Sequence, residues 1–248
     1  MIGGMIDAVR GCLKEEMRMD VISNNLANAT VIGFKRDKIS FQEILGESYG
    51  DKTGAKGKSP EPVDSALIRI KADHCQGDTR ITGNTLDFAI GGKGFFKVDT
   101  PDGIRYTRRG NFSLDGAGYL VTQEGFRVLG SGGPITVSGS EVDVDGRGVI
   151  HVDGSQAGQI EIVDFENYDG LMKTGNSMFH NPSGALEIAP PPETRIEQGF
   201  VELSNVDMVG EMVQMIHCLR AFESYQKSIQ VLDGINSRAV NEVSRLRS

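Results

Sequence analysis

The sequence predicts an α+β fold, with an antiparallel β-rich central domain inserted between long N- and C-terminal α-helices that pair as a coiled coil. Apolar residues recur every three or four positions at both ends of the 248-residue chain, which is typical of amphipathic helices. Short alternating segments separated by turn residues fill the middle, which indicates antiparallel strands. The C-terminal apolar pattern is also long enough to require a partner helix.

The C-terminal helix is predicted from a heptad pattern with two polar interruptions, which we call the C-terminal seam. Its members are Met208, Glu211, Met215, Cys218, Phe222, Tyr225, Ile229, Leu232, Asn236, Ala239, Val243 and Leu246. Ser204 and Asp207 resemble a capping box, so one helix from Ser204 to the last residue would span about 65 Å. A compact chain of this size is only about 45 Å across. The length favours assembly with other chains over packing on the β domain of the same chain.

Further apolar residues widen the first half of this helix beyond a narrow seam. They are Val209, Met212, Val213, Ile216 and Leu219. A helix with two apolar faces packs against more than one neighbour. The seam and this second face together predict several contacts at the start of the helix.

The N-terminal helix is predicted from a stripe of apolar residues at helical spacing. The stripe consists of Ile2, Ile6, Val9, Leu13, Met17 and Val21. It fails at Asn24, Asn25 and Asn28, and Gly33 can take a positive φ after the helix ends. We expect a helix of about 25 residues whose stripe packs on the C-terminal seam and leaves one end of the longer helix uncovered.

The whole chain divides into three kinds of segment. We predict a terminal helical domain from residues 1–35 and 204–248, an extended connector from 36–80 and 185–203, and a β domain from 81–184, which the resemblance given below implies to be the tube wall, the connector and the outer domain. Residues 45–62 have the glycine and proline content of a linker. Strands are predicted at 88–90, 94–99, 104–108, 111–114, 119–122, 126–129, 135–137, 142–144, 149–152 and 160–165.

Composition excludes several classes of function. The net charge of −8 gives no electrostatic basis for binding nucleic acid or a membrane surface. No apolar run reaches the roughly 20 residues that cross a bilayer, and early charged residues argue against a cleavable signal. Three cysteines are too few for a disulfide framework, and we expect ordinary buried thiols.

Candidate chemical motifs have simpler structural interpretations. Residues 91–94 (Gly-Gly-Lys-Gly) lack the spacing of a phosphate loop and favour a hairpin turn. Residues 143–146 begin like a calcium loop, but Gly154 stands where a bidentate glutamate is needed, so a β-turn is favoured. Two His-Cys pairs, at 74–75 and 217–218, cannot easily converge on one zinc ion. We therefore expect no enzyme activity, no catalytic residues, no metal, no cofactor and no small-molecule substrate.

Three separated segments then resemble one known family. Residues 20–29 (Asp-Val-Ile-Ser-Asn-Asn-Leu-Ala-Asn-Ala) with 33–36 resemble the N-terminal signature of bacterial flagellar axial proteins of the rod and hook. Residues 86–90, 94–96 and 106–112 are similar to the family's central β motif, and residues 199–202, 204–206, 211–213 and 220–223 to its C-terminal motif. The motif residues of the first segment are Ser23, Asn24, Asn25, Leu26, Asn28, Gly33 and Phe34.

Within that family, residues 128–135 are similar to the proximal-rod, F-type member. A distal-rod or hook-type axial subunit is the alternative; the chain lacks the glycine-rich stretch expected of a distal-rod protein around residues 45–71, and it is much shorter than a hook protein. From a different class, a β-rich enzyme or binding module acting on glycan, with helices that only dimerise, stays open. The 6% aromatic content argues against that alternative, because glycan clefts are lined by aromatic side chains.

The resemblance implies a structural subunit of the rod, located in the flagellar basal body and spanning the periplasm. Its implied partners are copies of itself, other rod and hook axial proteins, and the flagellar type III export apparatus. The implied subunit interface consists of Ile2, Ile6, Val9, Leu13, Met17, Val21, Met208, Met215, Phe222, Tyr225, Ile229, Leu232, Asn236, Val243 and Leu246. The motif asparagines are implied to cap helix ends or to cross-link backbones where the chain leaves the inner layer of the tube.

Overall fold

The computed structural model describes residues 2–42, 67–139 and 141–245. Helix α1 spans Ile2–Ala27 and helix α2 spans Met208–Arg245, and they flank a central antiparallel β-rich region. α2 packs against α1, so the predicted order of helix, β-rich domain and helix is confirmed. At 1.5 Å per residue, the 38 residues of α2 extend about 57 Å and the 26 residues of α1 about 39 Å.

Short strands and one 3-10 turn, Tyr168–Gly170, make up the region between the helices. In chain order, the strands are β1 (Asp37–Gln42), β2 (Leu67–Ala72), β3 (Thr79–Ile81), β4 (Phe88–Gly91), β5 (Phe95–Thr100), β6 (Gly103–Thr107), β7 (Ser113–Leu114), β8 (Leu120–Val121), β9 (Arg127–Gly130) and β10 (Gly133–Pro134). The series continues with β11 (Val142–Val144), β12 (Val149–Val152), β13 (Ser155–Gln159), β14 (Ile162–Phe165), β15 (Met172–Lys173), β16 (Met178–His180), β17 (Glu187–Ile188), β18 (Arg195–Gln198) and β19 (Phe200–Glu202).

The strands pair antiparallel around β5, the central strand of the main sheet. That sheet runs in the order β15-β16-β6-β5-β9-β8-β7, and β14 pairs with both β5 and β17. Four smaller sheets pair β1 with β2, β4 with β18, β3 with β19, and β11 and β13 with β12. The last strands before α2 therefore pair with the first strands after β2, which closes the β-rich region at the point where the helices meet it.

Two apolar clusters form the core of the β-rich region. One surrounds Phe96, whose side chain is fully buried and makes an edge-to-face contact with Phe112 at 5.2 Å between ring centroids. The other surrounds Phe95 and Phe179, whose rings are 5.5 Å apart. Adjacent residues of β5 point to opposite faces of the sheet, so Phe95 and Phe96 serve one cluster each.

The two helices run antiparallel. Gly4 of α1 lies beside Leu232 of α2, and Gly11 lies against the ring of Tyr225. A Cβ at Gly11 would stand 2.5 Å from Tyr225 Cε1, so only glycine allows this approach without a shift of the ring. Since Gly4 is near the start of α1 and α2 is the longer helix, the last turns of α2 extend past the end of the helix pair.

Several local predictions are corrected. The residue that caps α2 is Asp207, whose Oδ1 accepts from Val209 N at 3.1 Å, so the helix begins later than the predicted Ser204. The loop at residues 91–94 is not a hairpin, because β4 pairs with β18 instead of β5. The strand predicted at 135–137 is absent from the described residues there, where Thr136 makes only an isolated bridge to Tyr119.

The predicted linker at 45–62 lies wholly outside the described residues. Of the two predicted connectors, the first contains the β1–β2 pair, in which Asp37 faces Ala72. The second contains β17, β18 and β19, each paired with a strand of the β-rich region. The division into helical, connector and outer domains stays a prediction.

Candidate functional site

The C-terminal seam is the face of α2 that lies against α1. Glu211 and Cys218 are buried there, and five further seam residues are half-buried: Met215, Phe222, Ile229, Leu232 and Asn236. Met208 and Tyr225 are more exposed, at 46% and 37%. The side chain of Val243 and all of Leu246 lie outside the described residues, as does the side chain of Ile2 in α1. α2, with 38 residues, meets a helix of 26 residues.

The apolar stripe of α1 does not face α2, which corrects the predicted pairing. Ile6, Val9, Leu13 and Met17, which we call the outer stripe of α1, are 41% to 54% exposed. The face toward α2 contains Gly4, Ala8 and Gly11, together with Glu15 and Ile22, which are both buried. At about 100° per residue, these two faces lie on nearly opposite sides of the helix. Val21, at the end of the predicted stripe, is buried.

The second apolar face of α2 is exposed as well. Val209, Met212, Val213, Ile216 and Leu219, which we call the outer stripe of α2, are 45% to 71% exposed. They lie about 140° around the helix from the seam. Large apolar side chains concentrated on helix faces mark sites of association. No helix in the described part of the chain combines the length and the apolar character that a membrane span requires.

At the base of the helices, the three sequence motifs meet in one buried polar cluster. Lys35 lies in the N-terminal motif, Arg108 in the central motif and Glu202 in the C-terminal motif. Lys35 Nζ is 2.5 Å from Glu202 Oε1, and both side chains are fully buried. Arg108 Nη1 is 3.2 Å from Glu202 Oε2 and also donates to Ile90 O at 3.1 Å. We call Lys35, Arg108 and Glu202 the junction triad.

Amide side chains link the backbones around this triad. Asn25, almost fully buried in the last turns of α1, donates to Asp37 O at 2.9 Å and accepts from Asp37 N at 2.8 Å. Asn205 accepts from Arg36 N at 2.7 Å and donates to Asp73 O and Cys75 O at 2.8 and 2.9 Å. Side chains that replace backbone partners in this way fix one path of the chain.

The remaining motif residues occupy the same turn. Gly33 has a φ of 65°, and a Cβ there would stand 2.5 Å from Arg109 N. The Phe34 ring is buried with Lys173 Nζ 4.1 Å above it, a cation–π contact. Asn28 Nδ2 donates to Asn24 O at 2.8 Å, which satisfies a carbonyl at the end of α1. Ser23 and Asn24 are exposed and Leu26 and Asn28 are half-buried.

Burial and neighbouring charges shift the pKa values of groups at the junction. Burial lowers the pKa of Lys35, opposed by the attraction of Glu202. Burial, assisted by the positive charges of Lys35 and Arg108, lowers the pKa of His74 to about 4. Burial would raise the pKa of Asp73, but hydrogen bonds from Lys38, Cys75 and Arg36 outweigh it and hold that pKa far below its usual range. These shifts keep His74 neutral and Asp73 charged near neutral pH.

The cysteines differ from the expectation of buried thiols. Cys218 is buried against Glu15, Cys12 is half-buried and Cys75 is exposed. Burial and the Glu15 carboxylate raise the pKa of the Cys218 thiol. Cys75 contributes its backbone carbonyl to Lys35, with a distance of 2.7 Å to Nζ. Cys75 therefore takes part in the junction through its backbone carbonyl and not through its thiol.

Sequence reasoning missed the junction triad. Lys35 and Glu202 are separated by 167 positions, and nothing in local periodicity pairs them. The signal available was indirect, because Lys35, Arg108 and Glu202 each lie inside or beside a quoted motif. The buried Glu15 was also missed, since the N-terminal helix was interpreted from its apolar stripe alone.

The fold defines an α+β protein in which two terminal helices pair beside a β-rich region, and comparison with known proteins gives the family. Three family models match in order: flagella basal body rod protein over residues 8–35, the flagellar hook protein FlgE/F/G D1 domain over 89–161, and the flagellar basal body rod FlgEFG protein C-terminal region over 197–242. The chain belongs to the flagellar basal-body rod protein family, whose members are structural and non-enzymatic components of the rod.

Relatives match along nearly the whole chain. The flagellar basal-body rod protein FlgG of Bacillus subtilis is 34% identical, with 97% of this chain and 99% of the relative covered. FlgF of Rhizobium meliloti is 30% identical over 98% and 99%, and FlgF of Caulobacter vibrioides is 33% identical over 92% of each chain. The recognition of the rod family, the structural role and the location in the basal body are confirmed.

Proposed function

We propose that this chain is a proximal-rod subunit whose two outer stripes contact neighbouring axial subunits in the wall of a helical tube. The observation that supports this most directly is that nine large apolar side chains are exposed on the two outer stripes. The outer stripe of α1 points away from α2, and the outer stripe of α2 points away from α1. An exposed apolar surface of this kind is stabilised when another helix covers it. The neighbours in this proposal are copies of the chain and other rod or hook proteins.

The helix pair forms an antiparallel coiled coil in the assembled wall, as part of the same proposal. The C-terminal seam supplies a regular set of half-buried residues, and Asn236 supplies a polar position that fixes register. The end of α2 that extends past α1 contacts an adjacent subunit in this proposal. The predicted division assigns residues 1–35 and 204–248 to the wall, 36–80 and 185–203 to a connector, and 81–184 to an outer domain.

The rod transmits torque, and the subunit reaches it through the flagellar type III export apparatus. Family membership supports both statements. Residues 128–135, which are similar to the proximal-rod, F-type member, support a proximal position. The relatives named FlgG and those named FlgF match this chain with similar identity, so overall identity does not separate the two positions. A distal-rod position is therefore the competing assignment within the same family. The glycan-acting alternative has no support from a family whose members are structural.

Photo-crosslinking in motile cells tests the proposed contacts. A photoreactive residue at Leu13 should form crosslinks to the same chain or to other axial proteins once basal bodies assemble. The same residue at Lys93, in a loop of the β-rich region, is the matched control and should not crosslink to a helix of a neighbour. Absence of any intersubunit crosslink at Leu13 and at Val213 would contradict the proposed wall contacts.

The position along the rod needs a separate measurement. A bulky tag inserted beside Asp102, an exposed turn residue, should appear by electron cryotomography in the half of the rod nearer the inner membrane. A tag that appears only in the half nearer the hook would assign the chain to the distal rod. That result would correct the subtype and leave the structural role unchanged.

A further inference from the structure

The junction triad is buried too completely to be explained as a surface ion pair. Lys35 and Glu202 have no exposed side-chain surface, and Arg108 is 3% exposed. Two cations and one carboxylate leave the triad with a net positive charge. Removing charges from water costs more than a salt bridge commonly returns, so such a group is weak evidence for stability. Its best-attested use is to select one arrangement among several.

The placement of Lys35 indicates which arrangement is selected. Lys35 lies eight residues after the end of α1, in the segment 28–36 that leads from the helix into the β-rich region. Its amine reaches Glu202 at the end of β19 and Cys75 O before β3. Glu202 in turn binds Arg108, which donates to Ile90 O and Gly92 O on the far side. The triad therefore connects the helix exit to the β core in one chain of contacts.

From this geometry we infer that Lys35 is an orientation lock, which holds α1 at one angle to the β-rich region and adds little net stability. The lock positions the helix faces relative to the β-rich region within a single subunit. The inference goes beyond the proposed rod contacts, because it holds or fails in the isolated monomer.

Each partner of Lys35 keeps another hydrogen bond when the amine is removed. Glu202 Oε1 still accepts from Gly77 N at 2.9 Å, and Glu202 Oε2 still pairs with Arg108. Cys75 O still accepts from Asn205 Nδ2 at 2.9 Å. Lys35→Met therefore leaves each former acceptor of the amine with a hydrogen bond, and it turns a positively charged triad into a neutral pair. This substitution separates orientation from stability.

The test measures a distance distribution between two spin labels on the full-length monomer. The labels are placed at Asp20→Cys, on an exposed face of α1, and at Asp102→Cys, in the β5–β6 turn, with the three native cysteines replaced by serine. Pulsed electron paramagnetic resonance should give one narrow distance for the unaltered junction. Lys35→Met should widen it at least about twofold, with a shift in Tm of less than about 3 °C.

The matched control is Lys71→Met, which removes an exposed pair with Asp169 at 2.9 Å and should leave the width unchanged. A narrow distribution in Lys35→Met, or a broad one with the junction intact, would overturn the lock. If Lys35→Met does not fold, Lys35→Gln, which removes the ammonium charge and shortens the side chain, replaces it and should widen the distribution in the same way. Unfolding of both variants would also overturn the inference, because Lys35 would then be needed for stability.

Monomer distances and assembly are separate readouts. A widened monomer distance supports the lock whether or not the chain forms a rod. Failure of the photo-crosslinking test at Leu13, with a lock that behaves as expected, would contradict the proposed wall contacts alone.

Discussion

The β-rich region and the helix pair differ in how much of their apolar side-chain surface is buried. In the β-rich region, Phe88, Phe96 and Val128 have 1% or less of their surface exposed. In the helix pair, Leu13 and Ile216 keep about half of theirs exposed, although both lie on regular apolar faces. The first region completes its core within one chain. The second leaves surface for another chain to cover.

The difference also appears in what fills the contact between elements. Aromatic pairs such as Phe96–Phe112 fill the β core, whereas Gly4, Ala8 and Gly11 form much of the face of α1 toward α2. Small residues let helices approach closely but bury little apolar area, and the hydrophobic contribution is roughly proportional to that area. The helix pair inside one subunit is therefore the weaker half of the molecule.

The largest expected effect is on assembly. Leu13→Glu and Val213→Glu each place a charge on an outer stripe, where burial against a neighbour would leave it unpaired. We expect either variant to be absent from purified basal bodies while the monomer keeps the wild-type Tm. Ser228→Glu introduces the same charge at an exposed position on a different face of α2 and serves as the control. Normal incorporation of both stripe variants would remove the contrast between the two regions.

Truncation of apolar side chains should give the next largest effect, and it compares the regions directly. Phe96→Ala should lower the free energy of unfolding of the monomer by about 3–5 kcal/mol, because it leaves a cavity in a fully buried site. Leu13→Ala should change it by less than about 1 kcal/mol, since that side chain is half exposed. Urea unfolding measures both values. Equal losses would show that the outer stripe is already covered in the monomer.

His74 should make the β side of the junction sensitive to acid. It stacks on Tyr168 at 4.8 Å, and its pKa falls from 6.5 to about 4 because of burial and nearby positive charge. Below pH 6.5 the His74 imidazole binds a proton in the unfolded chain but stays neutral in the folded chain. The free energy of unfolding therefore decreases as the pH falls from 6.5 to 4.

The size of this effect is about 3 kcal/mol by pH 4, where the folded state also begins to bind the proton. His74→Phe keeps an aromatic ring and removes the titration. Urea unfolding of the variant between about pH 7 and pH 4.5 should therefore show a smaller loss of stability than the wild type. An identical loss in both proteins would assign the acid sensitivity to other groups.

The smallest of these effects concerns the asparagines at the end of α1. Asn25→Ala should cost about 2 kcal/mol, because it leaves two backbone groups of Asp37 without their side-chain partner in a buried site. Asn24→Ala, one position earlier and exposed, should change stability by less than about 0.5 kcal/mol. Thermal unfolding of the pair separates a cross-link from a surface residue. Similar costs for both would contradict the assigned geometry.

The sequence was sufficient to predict the secondary-structure elements and the family. It was insufficient to predict the contacts between those elements. Periodicity located α1 and α2 to within a few residues, because an apolar face repeats locally. Periodicity also predicted that the outer stripe of α1 packs on α2, which is wrong. A periodic pattern identifies an apolar face of a helix, but it does not identify the surface that packs on that face. The true inner face, built on Gly4, Ala8 and Gly11, carries almost no apolar signal.

The same limit explains the junction and the sheet errors. The pairing of β4 with β18 joins residues far apart in the chain, whereas Gly91 and Gly92 offered a local turn that fits a hairpin equally well. Nothing in the sequence pattern marks Lys35 and Glu202 as buried, since charged side chains are rarely fully buried without a partner. Only the folded chain brings those partners together. Asn28 bonds the carbonyl of Asn24 and Asn25 bonds the backbone of Asp37, so the partners of both side chains lie near them in the chain.

Hydrogen exchange on a dilute, full-length monomer, resolved by peptide, tests most directly whether the helix pair needs neighbours. We expect α1 and α2 to exchange much faster than β5, and both helices to gain protection when the rod assembles. Helices as strongly protected as β5 in a verified monomer would show that they complete their packing inside one chain. That result would contradict the central contrast between a finished β-rich region and an unfinished helix pair.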